Sequence, residues 1–336
     1  MNNKKSIDMK NPIKKIAVLT SGGDSPGMNA AIRAVVRTAS HHDLHVYGIY
    51  RGYQGMVEGD LKRLEKRDVG NIIHRGGTIL KTARSMDFMT KEGRKKAFEN
   101  LKAFDIDACI AIGGNGTLTG AKVFTEEYGI PFVGLPGTID NDLAGTDFSI
   151  GFDTAVNTAM EAVDKIRDTA ASHNRLFFIE VMGRHSGYIA LYTAIGSGAG
   201  SVLIPEINTP VEALISQLRQ SHIRKKQFSL VIVAEGNENG NAHDIAKKVE
   251  QELGDLYEAK VTTLGHLQRG GSPSSSDRVL SSRLGHSAVM ALLEGNHNVM
   301  VGITHGKVSF TPISEAIQGQ NEINKELIEM SQILAI

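Results

Sequence analysis

Short runs of β-type residues alternate with segments of helical periodicity along this chain, and this alternation constrains the fold more than any other feature. The β-type runs are residues 16–20, 46–50, 108–112, 132–135, 176–182, 201–205, 229–234 and 261–264. Between them, segments such as 29–39 and 154–168 repeat apolar residues at helical spacing. This alternation predicts βαβ units with mostly parallel sheets and right-handed crossovers.

The size and composition of the chain fit two α/β lobes of a globular protein. It has 336 residues, 41% hydrophobic and 22% charged, which is long for a single core. Lys plus Arg equals Asp plus Glu at 37 each, so the basic excess of a nucleic-acid binder is missing. Cys109 lies in an apolar run, which predicts a core position and argues against a disulfide scaffold.

The N-terminal segment and the hydropathy of the chain predict a cytoplasmic protein with no membrane partner. Residues 1–15 are polar and Lys-rich and lack the apolar region of a signal peptide. No run approaches the roughly 18 apolar residues that a membrane span requires. We expect residues 1–14 to form a short mobile extension.

Three loops that follow apolar runs indicate a phosphate-transfer site. Residues 19–29 and 112–117 are glycine-rich turns that open helix-like segments, a geometry that offers backbone N–H groups to phosphate. Residues 136–142 read Pro-Gly-Thr-Ile-Asp-Asn-Asp and place Asp140 and Asp142 just past a strand-like run. In open α/β sheets, substrates bind beyond the carboxyl ends of the strands. An isolated Asp-Asn-Asp is as often a solvated turn, so the other two loops decide the interpretation.

Three well-known sequence motifs match these loops only in part. Residues 23–27 match the G-x-S-x-G elbow of serine hydrolases, but Pro26 lacks the backbone N–H that the oxyanion hole needs. Residues 114–120 resemble a dinucleotide fingerprint, but Pro136 and Gly137 occupy the place of the ribose-binding acid. The glycine spacing of residues 22–27 resembles a Walker A loop, but the next residue is Met28 rather than Lys.

Four arginines strengthen the phosphate interpretation, because each lies beside glycine or at a predicted strand end: Arg84, Arg175, Arg184 and Arg269. A guanidinium is always charged and offers a planar fork to phosphate oxygens. One surface arginine is usually only solvated, whereas four in such loops indicate phosphate binding.

From about Lys14 to about Ile317, the sequence resembles the bacterial-type, ATP-dependent 6-phosphofructokinase family (the phosphofructokinase A family). The motifs that carry the resemblance are Leu-Thr-Ser-Gly-Gly-Asp with Pro-Gly-Met-Asn, Arg-Gly-Gly-Thr at 75–78, Pro-Gly-Thr-Ile-Asp-Asn-Asp, Met-Gly-Arg and Gly-His-Leu-Gln-Arg-Gly-Gly. The resemblance implies transfer of the γ-phosphoryl group of ATP, with Mg²⁺, to the 1-hydroxyl of fructose 6-phosphate, the committing step of glycolysis.

The resemblance also implies the architecture. Two Rossmann-like three-layer α/β/α lobes with mostly parallel sheets would have the active site in the cleft between them. Residues 15–149 plus about 267–317 would form the larger, ATP-binding lobe. Residues from about 150 to 266 plus 318–336 would form the smaller, fructose-6-phosphate-binding lobe. A homotetramer with active sites shared between chains is implied as well.

Site residues follow from the matching motifs. By resemblance, the catalytic residues would be Asp140 as base, Thr138, Asp142 and Arg184. The ATP site would contain Gly23, Arg84, Ser85, Gly114, Asn115, Gly116 and Thr117. The sugar-phosphate site would contain Thr138, Ile139, Asp140, Arg175, Met182, Gly183, Arg184, Glu235, Lys260, His266 and Arg269. Asn115 and Asp142 would lie at the magnesium ion.

Several positions depart from the family pattern. Asn115 replaces an Asp on the magnesium side, which predicts weaker magnesium binding, and Lys260 replaces an Arg. Gly116 and Gly137 stand where pyrophosphate-dependent members have Asp and Lys, so ATP is the expected donor. A pyrophosphate-dependent enzyme and a catalytically weak regulatory paralogue that binds sugar phosphate or nucleotide are the alternatives.

An effector site for ADP or phosphoenolpyruvate is implied by further basic positions. They are Arg33, Arg37, Lys66, Arg167, Arg224 and Lys226. Lys66 replaces an Arg, and Gly200 stands where a glutamate usually contacts the effector. We therefore expect regulation to differ from the family more than catalysis does.

Overall fold

A computed structural model describes residues 13–170, 175–224, 229–319 and 321–335. The strands in these ranges are β1 Lys15–Thr20, β2 His45–Ile49, β3 Leu61–Leu64, β4 Ala108–Gly113, β5 Phe132–Pro136, β6 Arg175–Val181, β7 Ser201–Leu203, β8 Ser229–Ala234, β9 Glu258–Thr263, β10 Val299–Thr304 and β11 Lys307–Pro312. The α-helices are α1 Met28–His41, α2 Gly52–Glu58, α3 Lys91–Ala103, α4 Asn115–Tyr128, α5 Phe152–Ala170, α6 Tyr188–Ser197, α7 Val211–Ile223, α8 Ala242–Leu253, α9 Ser275–Leu293, α10 Ile313–Ala316 and α11 Lys325–Leu334. Every strand run predicted from the sequence overlaps a strand of the structure.

The sequence prediction missed β3, β10 and β11, which belong to the two outermost hairpins of the larger sheet. β3 pairs antiparallel with β2, and β11 pairs antiparallel with β10. Each of these hairpins forms one edge of its sheet. β3 and β11 are edge strands that are short or carry charged side chains, so they show no apolar run. That reason does not apply to β10, an interior strand with the apolar run Val299–Thr304.

The chain divides into two units, each with its own sheet. The first unit comprises the described residues up to Gly137, Leu143–Asp147 and Arg278–Gly319. The second comprises Thr138–Asp142, the described residues of Phe148–Asp277, and 321–335. These boundaries differ from the predicted ones, since residues 138–142, 148–149 and 267–277 group with the second unit and residues 318–319 with the first. Hydrogen bonds explain the difference: Asp277 accepts from the backbone of Gly151, and Gln268 accepts from that of Met182.

The first unit contains a seven-stranded sheet of order β11-β10-β5-β4-β1-β2-β3. Its interior strands are parallel. Successive side chains along β1 and β4 point to opposite faces of the sheet, and nearly all of them are fully buried, so both faces of the sheet are covered. The chain runs from β1 to β2 on one side and later returns to β4 on the other, so the loops after β1 and β4 flank the point where the strand order reverses.

The second unit contains a four-stranded, entirely parallel sheet of order β7-β8-β6-β9. Successive residues of β6 enter two different cores: Leu176 and Phe178 pack with α7 and α8, whereas Phe177 and Ile179 pack with α5 and α6. Helices therefore cover both faces, as in a three-layer α/β/α arrangement. The predicted α/β fold with mostly parallel sheets is confirmed.

The predicted N-terminal extension lies almost entirely outside the described residues, which begin at Ile13. Within the described ranges, no helix has both the length and the apolar character of a membrane span.

Candidate active site

The segment Thr138–Asp142 is held by hydrogen bonds within the second unit. Asn141 has a φ of 51°, in the left-handed region that non-glycine residues rarely adopt. Its Oδ1 accepts from the backbone N–H of Ser149 at 2.8 Å. The Ser149 hydroxyl donates to the Thr138 carbonyl at 2.6 Å, and Thr138 Oγ1 accepts from the Asp140 N–H at 3.2 Å. These bonds fix the backbone on both sides of Asp140.

Asp140 is a buried carboxyl with an unusual pKa. It is 3% exposed, and its Oδ1 has no hydrogen-bond partner among the described residues. The pKa of Asp140 is raised to about 6 in total: burial contributes most, the charge of Asp142 adds to the rise, and Arg269 and Arg184 oppose it. The Arg184 Nε lies 3.7 Å from Asp140 Oδ2. A carboxyl that titrates near neutral pH beside cations has the properties of a general base.

Asp142 has the donor atoms that a hard cation prefers. Its Oδ1 is buried and has no hydrogen-bond partner within the described part of the chain. Burial raises the pKa of this carboxyl, while its own backbone N–H and then Arg184 lower it. Oxygen ligands from carboxylates suit Mg²⁺, which usually retains waters and binds phosphate oxygens as well. In the described ranges, His, Cys, Asp and Glu form no group of three or more at metal-binding separation.

Arg184 is carried by a tight turn after β6. Gly183 has a φ of 146° and Arg184 one of 53°. The backbone N–H groups of both residues donate to Glu235 Oε1, at 3.2 and 2.8 Å. A Cβ atom at Gly236 would lie 1.7 Å from the Arg184 carbonyl oxygen, so the residue after Glu235 must be glycine for the two backbone segments to pack this closely.

Sheet topology explains why these sugar-site candidates belong to one region of the second unit. The turn of Met182 to Arg184 follows β6, Glu235 follows β8, and the 3-10 turn Gly265–Arg269 follows β9. β8 and β9 are the two neighbours of β6, and all three strands are parallel. Loops at the carboxyl ends of adjacent parallel strands lie at one edge of the sheet. His266 is exposed and Arg269 half-buried in their turn.

Two predicted sugar-phosphate residues lie elsewhere in the second unit. Arg175 is the first residue of β6, at the opposite end of the strand from Met182, and Lys260 lies on β9. Both cations pair with Glu258: the Arg175 Nε at 3.1 Å and the Lys260 Nζ at 2.5 Å. A strand of seven residues spans roughly 20 Å. The fold of one chain therefore separates Arg175 from the residues that follow β6.

The two glycine-rich loops of the first unit open helices, as predicted. Gly27 precedes α1 with a φ of 114°, and Gly114 precedes α4. The Ser21 N–H donates to the Ile112 carbonyl at 3.1 Å. A Cβ atom at Gly113 would lie 2.5 Å from the Ser21 carbonyl oxygen, so only glycine permits this approach of the loops. Both helix N-termini thus offer backbone N–H groups from the same end of the sheet.

Asn115, the first residue of α4, uses its amide within the first unit. Its Nδ2 donates to the Ile317 carbonyl at 3.1 Å, and its Oδ1 accepts from the Thr119 hydroxyl at 3.2 Å. An aspartate here could not donate to Ile317. The departure at this position therefore has a structural role besides its effect on charge.

The other residues predicted to bind ATP are either exposed or held by hydrogen bonds within the first unit. Gly23 and Arg84 are exposed, and the Ser85 hydroxyl donates to Gln54 Oε1 at 2.7 Å. The buried Tyr53 hydroxyl donates to the Thr117 carbonyl at 2.5 Å, which fixes the first turn of α4.

The two glycines at the positions predicted to select the phosphoryl donor have different surroundings. A Cβ atom at Gly116 would meet nothing within 4 Å. A Cβ atom at Gly137 would lie 3.0 Å from the Gly113 nitrogen and from the Ile112 and Met28 side chains. The structure therefore has room for a side chain at 116, whereas a lysine at 137 requires neighbouring groups to move.

The predicted effector residues are divided between the units. Arg33 and Arg37 lie on α1, and Lys66 follows β3, in the first unit. Burial and, secondarily, the charge of Arg37 lower the pKa of Arg33. Arg167 lies on α5, and Arg224 follows α7, in the second unit; Lys226 lies outside the described residues.

Known proteins similar to this chain identify its family. The sequence profile of the family named Phosphofructokinase matches residues 15–292, which is most of the chain. The chain belongs to the phosphofructokinase family. Among curated relatives, ATP-dependent 6-phosphofructokinase 1 of Thermus thermophilus is 55% identical over 96% of this chain and 100% of the relative. The ATP-dependent 6-phosphofructokinase of Bacillus subtilis is 52% identical over the same shares.

Solved structures agree with this phosphofructokinase assignment. The phosphofructokinase of Saccharomyces cerevisiae has a TM-score of 0.88 at 39% identity, and the match covers 96% of this chain and 48% of that one. A pyrophosphate-dependent phosphofructokinase of Marinobacter aquaeolei has a TM-score of 0.81 at 26% identity, covering 94% of this chain and 86% of that one. The resemblance inferred from the motifs is confirmed.

Three polar residues that hydrogen-bond to backbone groups of the second unit were not identified from the sequence: Ser149, Gln268 and Asp277. All are buried. Gln268 stands within the Gly-His-Leu-Gln-Arg motif, where only His266 and Arg269 were singled out. No local signal identifies Ser149 or Asp277, because their partners are distant in sequence.

Proposed function

We propose that this phosphofructokinase transfers the γ-phosphoryl group of ATP to the 1-hydroxyl of fructose 6-phosphate. The observation that carries the proposal is the buried Asp140, whose pKa is raised to about 6 and whose carboxylate lies 3.7 Å from the Arg184 Nε. The names of the relatives at 52–55% identity support ATP as donor.

In the proposed reaction, Asp140 takes the proton of the 1-hydroxyl as that oxygen bonds to the γ-phosphorus. The bond between the γ-phosphorus and the bridging oxygen breaks, and ADP leaves with the electron pair. Arg184 and Thr138 would stabilise the charge on the transferring group. Because phosphoryl transfer depends mainly on positioning and electrostatic stabilisation, the fixed backbone around Asp140 supports this role.

Substrate binding would use separate residues of each unit. In the first unit, the N–H groups at the start of α4 and the Gly23 loop would bind the phosphates of ATP, with Arg84 and Ser85 nearby. In the second unit, Met182, Gly183, Glu235, His266 and Arg269 would bind the sugar phosphate. Arg175 and Lys260 would serve the site of a neighbouring chain in a homotetramer, which agrees with their distance from the other candidates.

Magnesium would be held by Asp142, whose buried oxygen lacks a partner among the described residues. When bound, the ion would neutralise charge on the phosphates. Asn115 would contribute only through its amide oxygen, which the Thr119 hydroxyl already contacts.

We further propose that the enzyme is cytoplasmic and that its effector site binds ADP or phosphoenolpyruvate.

A coupled assay tests the proposal directly. Purified protein is given fructose 6-phosphate and magnesium with either ATP or pyrophosphate, and fructose 1,6-bisphosphate formation is followed. We expect turnover with ATP and none above background with pyrophosphate.

The amide at Asn115 favours one second candidate function, that of a weakly catalytic regulatory paralogue. Binding of fructose 6-phosphate in calorimetry without turnover would support that candidate and contradict the enzyme assignment.

A further inference from the structure

Gln268 is buried in a turn where an apolar neighbour is exposed. Leu267 is 71% exposed, whereas Gln268 is 0% exposed. Apolar side chains ordinarily take the buried position, and burying an amide is unfavourable unless both of its ends are hydrogen-bonded. A specific contact must therefore offset the burial of this amide.

Only one end of the Gln268 amide is bonded among the described residues. Its Oε1 accepts from the buried backbone N–H of Met182 at 2.8 Å, across 86 residues of sequence. Its Nε2 is buried without a hydrogen-bond partner in the same ranges. An unmet buried donor is unfavourable, because it has given up its hydrogen bonds to water and gained none in the protein. A methionine of similar length would avoid this cost but would leave the Met182 N–H without an acceptor.

The Met182 N–H is the first of three successive N–H groups held by side chains. Gln268 accepts the first, and Glu235 Oε1 accepts those of Gly183 and Arg184. Two residues of this turn have φ in the left-handed region, which is unfavourable for Arg184. External acceptors are therefore needed to define where the turn places the Arg184 guanidinium.

The choice of glutamine over glutamate has an electrostatic explanation. A glutamate at 268 would supply an acceptor for Met182 without an unmet donor. It would also add a negative charge next to Arg269, whose charge favours the ionised form of Asp140. Glutamine is the side chain of this length that supplies a neutral acceptor.

We propose that Gln268 is a positioning residue for the sugar phosphate, acting through the Met182 N–H to fix Arg184 where fructose 6-phosphate meets Asp140. Gln268 itself contacts no substrate in this proposal. The inference rests on the proposed function, because it concerns the same substrate.

The test is Gln268→Met, measured with each substrate varied in turn. We expect kcat/KM for fructose 6-phosphate to fall by about 10- to 100-fold, the size typical of a small misplacement near the reacting groups. The KM for ATP should not change. The matched control is Tyr257→Phe, which removes a buried hydrogen bond of 3.0 Å to the Leu218 carbonyl in the same unit. This control should lower the melting temperature and leave both KM values unchanged.

A double-mutant cycle separates positioning from general damage. If Gln268 acts through Arg184, then Gln268→Met should change kcat/KM by less than about twofold in an Arg184→Ala background, because coupled residues are not additive. Multiplicative effects, or a lowered melting temperature with an unchanged kcat/KM for fructose 6-phosphate, would overturn the inference. If Gln268→Met does not fold, Gln268→Asn withdraws the same oxygen from Met182 and should give the same substrate-specific loss.

Failure of the inference can be distinguished from failure of the proposed function. Calorimetry and turnover of the unaltered protein with fructose 6-phosphate are measured first. An unaltered protein that neither binds nor phosphorylates this sugar contradicts both proposals. An active unaltered protein with an equally active Gln268→Met variant contradicts the inference alone.

Discussion

At the scale of single residues, the environment of Asp140 sets its chemistry. Asp140 and its neighbour Asn141 are both almost fully buried and Asp142 is half-buried, but Asp140 is the one whose carboxylate lies 3.7 Å from the Arg184 Nε. Burial and the Asp142 charge favour the protonated form, while two arginines favour the ionised form. The balance gives a carboxyl that can accept a proton near neutral pH and still be ionised there.

Replacement of the proposed base tests its role. Asp140→Asn removes the proton acceptor but keeps a side chain of the same size, so turnover should fall by at least the ~10²-fold typical of losing a general base. Calorimetry should show nearly unchanged binding of fructose 6-phosphate. Asp164→Asn, at an exposed position of α5, is the matched control and should retain full turnover. Near-normal turnover of Asp140→Asn would contradict the assignment.

The raised pKa of Asp140 predicts a pH dependence. Because its pKa is about 6, the carboxylate needed for proton abstraction is lost as pH falls through that value, and kcat/KM for fructose 6-phosphate should fall with it. The substrate phosphate ionises in a similar range, so a variant must identify the enzyme group. Arg269→Gln removes a charge that lowers the pKa of Asp140 and should move the acid limb to higher pH. If the acid limb of the pH profile does not move, the limb reports ionisation of the substrate phosphate rather than of Asp140.

At the scale of secondary-structure elements, helix N-termini organise both units. In the first unit, α4 begins at Asn115, whose amide connects the helix to the Ile317 carbonyl. In the second unit, the Asp277 carboxylate of α9 accepts from the Gly151 N–H and from both the N–H and the hydroxyl of Thr154. A carboxylate at a helix N-terminus satisfies free N–H groups and complements the helix dipole.

The start of α4 predicts two opposing effects of Asn115→Asp. A carboxylate near the helix N-terminus should bind magnesium more tightly, so the magnesium concentration for half-maximal rate should fall. The same change replaces the donor to Ile317 with a repelling oxygen, so the melting temperature without ligands should fall as well. Asn115→Ala is the control, since it loses the Ile317 bond without adding charge. An unchanged or higher magnesium requirement in Asn115→Asp would show that residue 115 does not face the metal.

The cap of α5 predicts a loss of stability. The Asp277 carboxylate accepts from three donors, the Gly151 N–H and the N–H and hydroxyl of Thr154. Asp277→Asn leaves one acceptor oxygen and turns an NH₂ group toward the remaining donors, so the free energy of unfolding should fall by about 1–3 kcal/mol. Asp244→Asn is the control, because Asp244 caps the start of α8 at an exposed position and should cost less than about 1 kcal/mol. Urea titration followed by circular dichroism measures both. Equal losses would mean that burial of Asp277 adds nothing to its capping role.

At the scale of the whole molecule, the proposed effector residues belong to both units. Arg33, Arg37 and Lys66 belong to the first, and Arg167 and Arg224 to the second. Gly200 precedes β7, and the Gln217 Nε2 donates to its carbonyl at 2.8 Å. Coupling between effector and substrate requires contacts that differ between two global states. A glycine at 200 removes one side chain that could make such a contact.

We therefore predict a weak allosteric response. Saturation curves for fructose 6-phosphate should shift little with ADP or phosphoenolpyruvate, although calorimetry should detect binding of both. Gly200→Glu should increase the shift, since a Cβ atom there meets only the Leu230 carbonyl, at 3.6 Å, and the side chain fits. Gly200→Gln is the control of equal size without charge. Strong ADP activation or phosphoenolpyruvate inhibition of the unaltered protein would show that Gly200 does not weaken regulation.

The sequence alone predicted the βαβ alternation, the loops that open α1 and α4, and the family. These features depend on local chemistry: residue periodicity determines strands and helices, and glycine permits the turns that expose N–H groups to phosphate. The Asp-Asn-Asp segment and the arginines were found for the same reason, since each is recognisable within a few residues of sequence.

Tertiary structure alone decided how these residues are tuned and supported. The pKa of Asp140 depends on burial, which a sequence does not display. The bond from Met182 to Gln268 spans 86 residues and that from Thr154 to Asp277 spans 123, so no local pattern predicts them. Arg175 is joined to Glu258 only because β6 and β9 are neighbours in the sheet, whereas Lys260 lies two residues from Glu258 on β9 itself. Electrostatic interactions depend on distance and surrounding dielectric, and both are fixed only when the chain has packed.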